Sequence, residues 1–283
     1  MRKIFFTIFF LSIVSMNFSQ DLNSAKNLLL NNKLNEAKSV LEKIISNDKN
    51  NAEAHFYLGK TLIRMKEFED ASDEFETATK INYNNADYHF WFAQAMGQDA
   101  VNSSIFTKIK LAPKIKDEYM KTVQINPAHV QGRMGLIGFY RMAPGIMGGS
   151  MEKAYSEAKI LIGYDEKLGH YQLATLYIAD KNSGKAEEEF KFLESKYGNS
   201  KDISGFYNAY GYFLLNNSRF NDAIQKFKKQ VELDPSNANS YDSLGDGYLA
   251  AGNKTEAIAQ FKKALELDPN FPASKKKLKD LTK

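Results

Sequence analysis

The sequence predicts an all-α fold in which pairs of short helices stack side by side. Three observations predict it. The chain matches itself at a shift of 34 residues, its apolar residues recur three and four positions apart, and no strand pattern is present. These observations favour a stack of small repeated units over one large hydrophobic core.

The composition is that of an ordinary globular protein and excludes several kinds of site. Of the 283 residues, 43% are hydrophobic and 25% are charged, and none is cysteine. Disulfides, thiolate catalysis and Cys-ligated zinc are therefore excluded. The formal net charge is only +4, which is too small to predict nucleic-acid binding.

The basic residues cluster at the C-terminus. We interpret this cluster as the solvated face of a last helix, and contact with an acidic partner or an anionic membrane surface is the alternative. The lysines concerned are Lys275, Lys276, Lys277, Lys279 and Lys283.

Residues 1–19 have the pattern of a secretory signal peptide. Arg2 and Lys3 precede an apolar run from Ile4 to Val14, which is too short for a bilayer because spanning takes roughly 20 residues. We expect cleavage near Ser19, and an uncleaved anchor is the alternative. The signal-peptide pattern predicts export to a periplasm, the cell surface or the extracellular space. Since no second apolar run has spanning length, we expect a mature chain that does not span the membrane.

The 34-residue match is strongest near the C-terminus, where Asp234-Pro235 aligns with Asp268-Pro269. In the last unit, the first helix carries apolar residues that share one face, and a glycine among them lets the second helix approach closely. The second helix carries a stripe of small and aromatic residues and ends before a proline. These positions are Tyr241, Leu244, Gly245, Tyr248, Ala257, Phe261, Ala264 and Pro269.

This pattern resembles the tetratricopeptide repeat, a 34-residue pair of antiparallel helices. The resemblance covers most of residues 20–283 and implies a right-handed superhelical solenoid of about six to seven helix pairs with a C-terminal capping helix. The third unit carries an insertion at 97–111 and the fourth a Gly-rich loop at 143–150. The units lie near 21–50, 52–85, 86–127, 128–165, 167–200, 204–236 and 238–270, and the capping helix covers 272–282.

No catalytic, metal or cofactor site is predicted. His55, His89 and His170 occupy the repeat position of a first-helix aromatic, so we interpret them as packing residues. The alternative is a metal or catalytic set, but equivalent positions of stacked repeats lie about 10 Å apart, too far to share a zinc ion. We interpret the Gly-rich loop as a long turn with Ser150 as a helix cap, and a ligand-contacting loop is the alternative.

The resemblance also implies where a partner would bind, because first helices of this family line a concave groove. The residues that the resemblance assigns to this groove are basic near its start, aromatic in the middle and acidic near its end. They are Phe56, Lys60, Arg64, Phe90, Gln94, Arg141, Tyr171, Asn208, Tyr212, Asp242 and Asp246. The carboxylate clamp of some family members is not predicted, because the matching asparagines and second lysine are missing.

The predicted function is an exported scaffold that holds a peptide or protein partner in this groove, without catalysis and without a cofactor. The first alternative is an envelope binder of a small ligand, glycan or muropeptide that uses the aromatic groove and the Gly-rich loop. The second is an enzyme that uses the insertion and that loop over the groove. The sequence identifies neither the partner nor the oligomeric state.

Overall fold

The computed structural model describes residues 21–282, so the predicted signal peptide lies outside the described residues. Within 21–282 the regular structure is helical and no strand occurs, which confirms the all-α prediction. No helix in this range combines the length and the apolar character that crossing a bilayer requires.

The chain divides into two compact units between Tyr164 and Asp165. In unit 1, α1 covers residues 21–30 of the described chain. The other helices of unit 1 are α2 (Leu34–Asn47), α3 (Ala52–Met65), α4 (Phe68–Ile81), α5 (Ala86–Asn102), α6 (Ile105–Ile125), α7 (Val130–Met142) and α8 (Met151–Ile162). Those of unit 2 are α9 (Glu166–Ala179), α10 (Ser183–Tyr197), α11 (Ser204–Asn216), α12 (Phe220–Leu233), α13 (Ala238–Ala250), α14 (Lys254–Leu267) and α15 (Pro272–Leu281).

Helix pairs close over a fully buried aromatic ring from the second helix. Phe75 on α4 has no exposed surface and lies against Gly59 on α3, where a Cβ atom would come within 2.8 Å of the ring. Phe261 on α14 is equally buried, and a Cβ at Gly245 would overlap its ring. The close approach that the sequence predicts at Gly245 is therefore present, and the missing side chain permits it.

The predicted insertion at 97–111 does not form a loop. It lengthens both α5, which has 17 residues, and α6, which has 21. A two-residue turn joins them, and the Ser104 side chain accepts a hydrogen bond from the Thr107 amide to cap α6. Pro113 lies inside α6, so it cannot donate the helical hydrogen bond to the carbonyl of Ile109.

The Gly-rich loop is a turn in which the backbone requires glycine at two positions. Gly148 has a φ of 96°, and a Cβ at Gly149 would overlap the Ala143 carbonyl. The amides of Gly148, Gly149 and Ser150 all donate to backbone carbonyls of the same segment or of α7. The Ser150 hydroxyl caps α8, as the sequence predicts. These amides are therefore not free to bind an anion.

Candidate functional site

The predicted groove residues lie on the first helices of the pairs. In unit 1, α3 contacts α5 directly, and in unit 2, α11 contacts α13. Neighbouring first helices therefore share a surface within each unit. We call the α3–α5 surface the first-helix face of unit 1 and the α11–α13 surface the first-helix face of unit 2.

Three of the predicted groove side chains are taken up by the protein's own packing. Phe56 is buried, with its ring centroid 4.8 Å from that of Tyr88. Phe90 is buried against the ring of His129, at 5.2 Å. Asp242 is 4% exposed. Burial leaves these side chains little surface for a partner, because they turn into the seams between neighbouring helices.

Lys60 is the cation of the first-helix face of unit 1. It is half-buried, and its Nζ lies 5.4 Å from the ring centroid of Phe56, 5.7 Å from that of Tyr57 and 5.0 Å from that of Trp91. Burial lowers the pKa of Lys60, and the charge of Asp87 opposes that shift. Among the described residues, no carboxylate pairs with this ammonium group. Lys60 is thus a partly desolvated cation held between aromatic rings.

The other predicted members of unit 1 differ in their surroundings. The Arg64 guanidinium donates to the carbonyl of Leu29 and, at 3.0 Å, to the side chain of Asn32, which closes the end of α1. Gln94 is half-exposed on α5, and Arg141 is exposed at the end of α7. Arg64 therefore has a structural role, which its assignment to the groove by resemblance did not predict.

Four of the five predicted members of unit 2, all except Tyr171, join one hydrogen-bond network. The Tyr212 hydroxyl donates to Asp246 Oδ2 at 2.8 Å, and the Ser243 hydroxyl donates to Asn208 Oδ1 at 3.3 Å. Burial of the ring, with the hydrogen bond to Asp246, raises the pKa of Tyr212 above its ordinary value. The network ties α11 to α13 and occupies the polar atoms of this face.

Helix α15 supplies the cation of that network. Lys277 Nζ lies 2.8 Å from Asp242 and 2.6 Å from Asp246, and the Ser274 hydroxyl donates to Asp242 at 2.6 Å. The interpretation of the C-terminal lysines as a solvated face is therefore wrong for Lys277. The predicted acidic end of the groove has its charge compensated within the chain.

Tyr171, the remaining predicted groove residue, lines a pocket in unit 2. The pocket has a volume of about 370 Å³. Its walls are mostly apolar, and Asp165, Lys167 and Asp202 add charged atoms. The apolar lining residues are Leu168, Tyr171, Leu193, Ile203 and Phe206.

A repeated ion pair is the feature that sequence reasoning missed. His55 Nδ1 lies 2.6 Å from Glu74, and His170 Nδ1 lies 2.6 Å from Glu189. His89 and Glu118 make the same pair at 2.5 Å, buried between α5 and α6. In each pair a first-helix histidine meets a carboxylate of the second helix. The packing interpretation placed these histidines correctly between helices but did not include the carboxylates.

The same slot of the fourth unit holds Arg133, which pairs with Glu157 and donates to the carbonyl of Pro127 at 3.0 Å. A glutamate 19 residues after His55 and after His170 is the sequence signal that could have predicted the pairs. Glu189 ends a run of three glutamates that is typical of solvated helix surface, but its contact with His170 takes it out of that class.

His129, which follows Asn126-Pro127 at a junction between repeats, is bound rather than solvated. Its Nδ1 accepts a hydrogen bond from the Gly132 amide and so caps α7. Its Nε2 lies 3.1 Å from Asp87. In residues 21–282, no three His, Asp or Glu side chains come together as a metal site would require.

Comparisons with known families agree with this architecture. A tetratricopeptide repeat model matches residues 28–89, and a second tetratricopeptide repeat model matches residues 238–271. The chain therefore contains tetratricopeptide repeats in these two segments. A search of curated proteins finds no significant match.

Solved structures share the fold of this chain at low sequence identity. A tetratricopeptide repeat protein from Parabacteroides merdae is 17% identical with a TM-score of 0.66, covering 95% of this chain and 100% of its own. The C-terminal part of a repeat protein from Cytophaga hutchinsonii is 16% identical with a TM-score of 0.57, covering 91% and 99%. Yeast Tom70 is 14% identical with a TM-score of 0.67, covering 88% of this chain and 51% of its own.

Proposed function

We propose that this tetratricopeptide repeat protein is an exported, non-catalytic scaffold that binds an acidic segment of a protein partner on the first-helix face of unit 1. The repeat fold supports a protein–protein interaction scaffold in general. The observation that carries the finer proposal is Lys60, a half-buried ammonium group with no carboxylate partner in the described chain.

A partly desolvated cation gains most from an anion that reaches it without further loss of water. The rings of Tyr57 and Trp91 flank Lys60, so apolar side chains next to the partner's carboxylate would find a surface to pack on. Gln94 stands on the same helix as Trp91, three positions on, and offers an amide to a peptide backbone. We infer a partner segment in which an Asp or Glu lies between apolar residues.

Trp91 provides a local readout because it is the chain's only tryptophan. Synthetic peptides of equal length and graded net charge would be titrated against the full chain, and Trp91 emission would be recorded. We expect the acidic peptides to bind and the basic peptides to leave the emission unchanged. Lys60→Met should weaken binding of the acidic peptides about tenfold or more, the worth of one charge-assisted hydrogen bond.

The control variant is Lys43→Met, because Lys43 is an exposed lysine on the second-helix side of the first pair and has no ion pair in the described chain. It should bind the acidic peptides as the natural protein does. If both substitutions weakened binding equally, or if binding did not depend on the net charge of the peptide, Lys60 would not be the residue that binds the partner's carboxylate.

Export is a separate part of the proposal and rests on the basic start and short apolar run of residues 1–19. Fractionation of the producing cells, with N-terminal sequencing of the recovered chain, tests it. We expect an envelope or extracellular protein that begins near residue 20. A cytoplasmic protein that retains residues 1–19 would contradict export.

A second candidate function is binding of a small envelope ligand such as a glycan or muropeptide. The pocket beside Tyr171 favours it, because concave and mostly apolar pockets with a few polar atoms are typical of small-ligand sites. Thermal-shift measurements with glycans and muropeptides would test it, and Tyr171→Ala should abolish any shift. A shift that Tyr171→Ala leaves unchanged would place the ligand elsewhere.

A further inference from the structure

One end of unit 1 carries a group of exposed, large apolar side chains. Helices α5 and α6 are joined by a two-residue turn, α6 packs against α7, and the turn after α7 contacts α6. The end of α5, the start of α6 and the end of α7 therefore lie at the same end of the unit. We call these side chains the apolar tip. They are Val101, Ile105, Phe106, Ile109, Met142 and Ile146.

The side chains of the apolar tip are unusually open to solvent. Phe106 is 80% exposed, Met142 is 76% exposed and Ile146 is 91% exposed. The apolar residues that line the repeats' own seams, such as Phe75 and Phe261, have no exposed surface. A group of exposed apolar side chains of this size indicates an interaction surface.

The charge around the apolar tip is mainly positive, although Asp99 and Glu152 flank it. Residues 100–116 and 137–151 contain five cations and no acidic residue. Among the described residues, Lys108, Lys110 and Arg141 make no ion pair, whereas Lys114 pairs with Glu76 and Lys116 with Asp117. The tip thus presents unpaired positive charge next to its apolar side chains.

The tip is convex. Helix α6 has 21 residues where α4 has 14, and seven further residues lengthen a helix by about 10 Å. The first buried side chain of α6 is Ala112, so the turn of helix from Ile105 onward extends past the packed core. A peptide partner would need a recess between side chains, but a flat anionic surface suits a projecting end.

We propose that the apolar tip docks unit 1 on a bilayer that contains anionic lipids. Phe106 and Ile109, at the projecting end, enter the boundary between headgroups and acyl chains, and Lys108, Lys110 and Arg141 lie among anionic headgroups. The proposal does not depend on the Lys60 site. It gives the chain a reversible membrane contact that needs no spanning helix.

Sedimentation with vesicles tests this proposal on the full chain. We expect binding to an equimolar mixture of phosphatidylcholine and phosphatidylglycerol, and little binding to phosphatidylcholine alone. Phe106→Ser should weaken binding about tenfold, from the loss of one inserted aromatic. Lys108→Gln and Lys110→Gln should each weaken binding about fivefold. Leu30→Ser is the control, because Leu30 is 78% exposed at the end of α1, and it should have no effect.

Because residues 4–14 are also apolar, a second readout must be local to the tip. In a Trp91→Phe background, Phe106→Trp should give a blue-shifted emission with the mixed vesicles, quenched by brominated acyl chains. Leu30→Trp in that background should give neither effect. Binding that Phe106→Ser leaves unchanged, or a Phe106→Trp variant whose emission stays that of a solvated indole with vesicles, would overturn the proposal. Tip-dependent binding of polyglutamate without vesicle binding would also overturn it, and would assign the tip to an acidic protein.

Discussion

His55 Nδ1 on α3 lies 2.6 Å from a carboxylate oxygen of Glu74 on α4, and Nε2 of the same ring lies 3.1 Å from the carbonyl oxygen of Lys49. With an acceptor at each nitrogen, the ring satisfies both contacts only when it carries both protons. The hydrogen bond to Glu74 raises the pKa of His55 above its ordinary value, against the effect of burial. The pair therefore ties the protonation of one histidine to the stability of one helix pair.

The stability of unit 1 should fall as the pH rises through the raised pKa of His55. A raised folded-state pKa gives stabilisation that is complete below the unfolded-state pKa, about 6.5, and is lost at higher pH. Urea unfolding followed by Trp91 emission, between about pH 6 and pH 9, measures this loss. His55→Leu should lower the unfolding free energy by about 1.5–3 kcal/mol near pH 6 and flatten the pH dependence. An unchanged slope in His55→Leu would contradict the prediction.

The stability of unit 1 should also fall at acid pH, because of Glu118. Burial alone would raise the pKa of Glu118, but hydrogen bonds from His89 and Lys121 outweigh it and hold the pKa below its ordinary value. Its contribution is therefore complete above the unfolded-state value of about 4.3 and is lost as the pH falls through the lower folded-state value. Glu118→Gln should lower the unfolding free energy at neutral pH by about 3 kcal/mol and reduce the loss in acid. Asp117 is the exposed neighbour of Glu118. Asp117→Asn should change neither the unfolding free energy at neutral pH nor its loss in acid by more than about 0.5 kcal/mol.

Two glycines of α7 should respond in opposite directions to a single methyl group. A Cβ at Gly135 would overlap the ring of Tyr119, whereas a Cβ at Gly138 would meet no atom within 4 Å. Gly135→Ala should lower the unfolding free energy of unit 1 by about 1–3 kcal/mol through overpacking. Gly138→Ala should raise it by about 0.5–1 kcal/mol, because alanine loses less backbone entropy than glycine in a helix. Unfolding curves for the two variants give the comparison directly, and equal effects would argue against the packing seen at Tyr119.

Lys277 should be required to hold α15 on unit 2. Lys277→Met leaves Asp242 and Asp246 close together without their shared cation, so α15 should loosen by about 3 kcal/mol. Amide hydrogen exchange of α15, measured by mass spectrometry, should speed up while that of α11 and α12 changes little. Lys276→Met is the matched control, because that exposed lysine makes no ion pair in the described chain. Protection of α15 that is unchanged in Lys277→Met would contradict the role assigned to this lysine.

The sequence predicts the helix pairs because their determinants lie close together in the chain. The spacing of Tyr241, Leu244 and Gly245 defines one helical face, and Phe261 lies in the paired helix 16 residues after Gly245. A resemblance that rests on such spacings predicts the fold of the chain correctly. The resemblance predicts less well which side chains are exposed, because the direction of a side chain depends on the neighbouring repeat as well as on its own helix.

Phe56 and Lys277 show what local patterns could not predict. Phe56 turns toward Tyr88 of the next first helix, so its burial depends on a residue 32 positions away. Lys277 looks like a surface lysine in its own segment, and only the packing of α15 brings it between two carboxylates of α13. Likewise, nothing in the local composition of 97–111 distinguishes a loop from the extension of α5 and α6.

The starting points of α13 and α15, Ala238 and Pro272, are one repeat length of 34 residues apart. The last helix is thus the opening half of another unit, with Ser274 and Lys277 already bonded to its predecessor. A consensus second helix and further whole units could be grafted after Leu281 without changing the phase of the array. This chain could in that way serve as an extendable scaffold for longer designed arrays, with its natural contacts at the junction left intact.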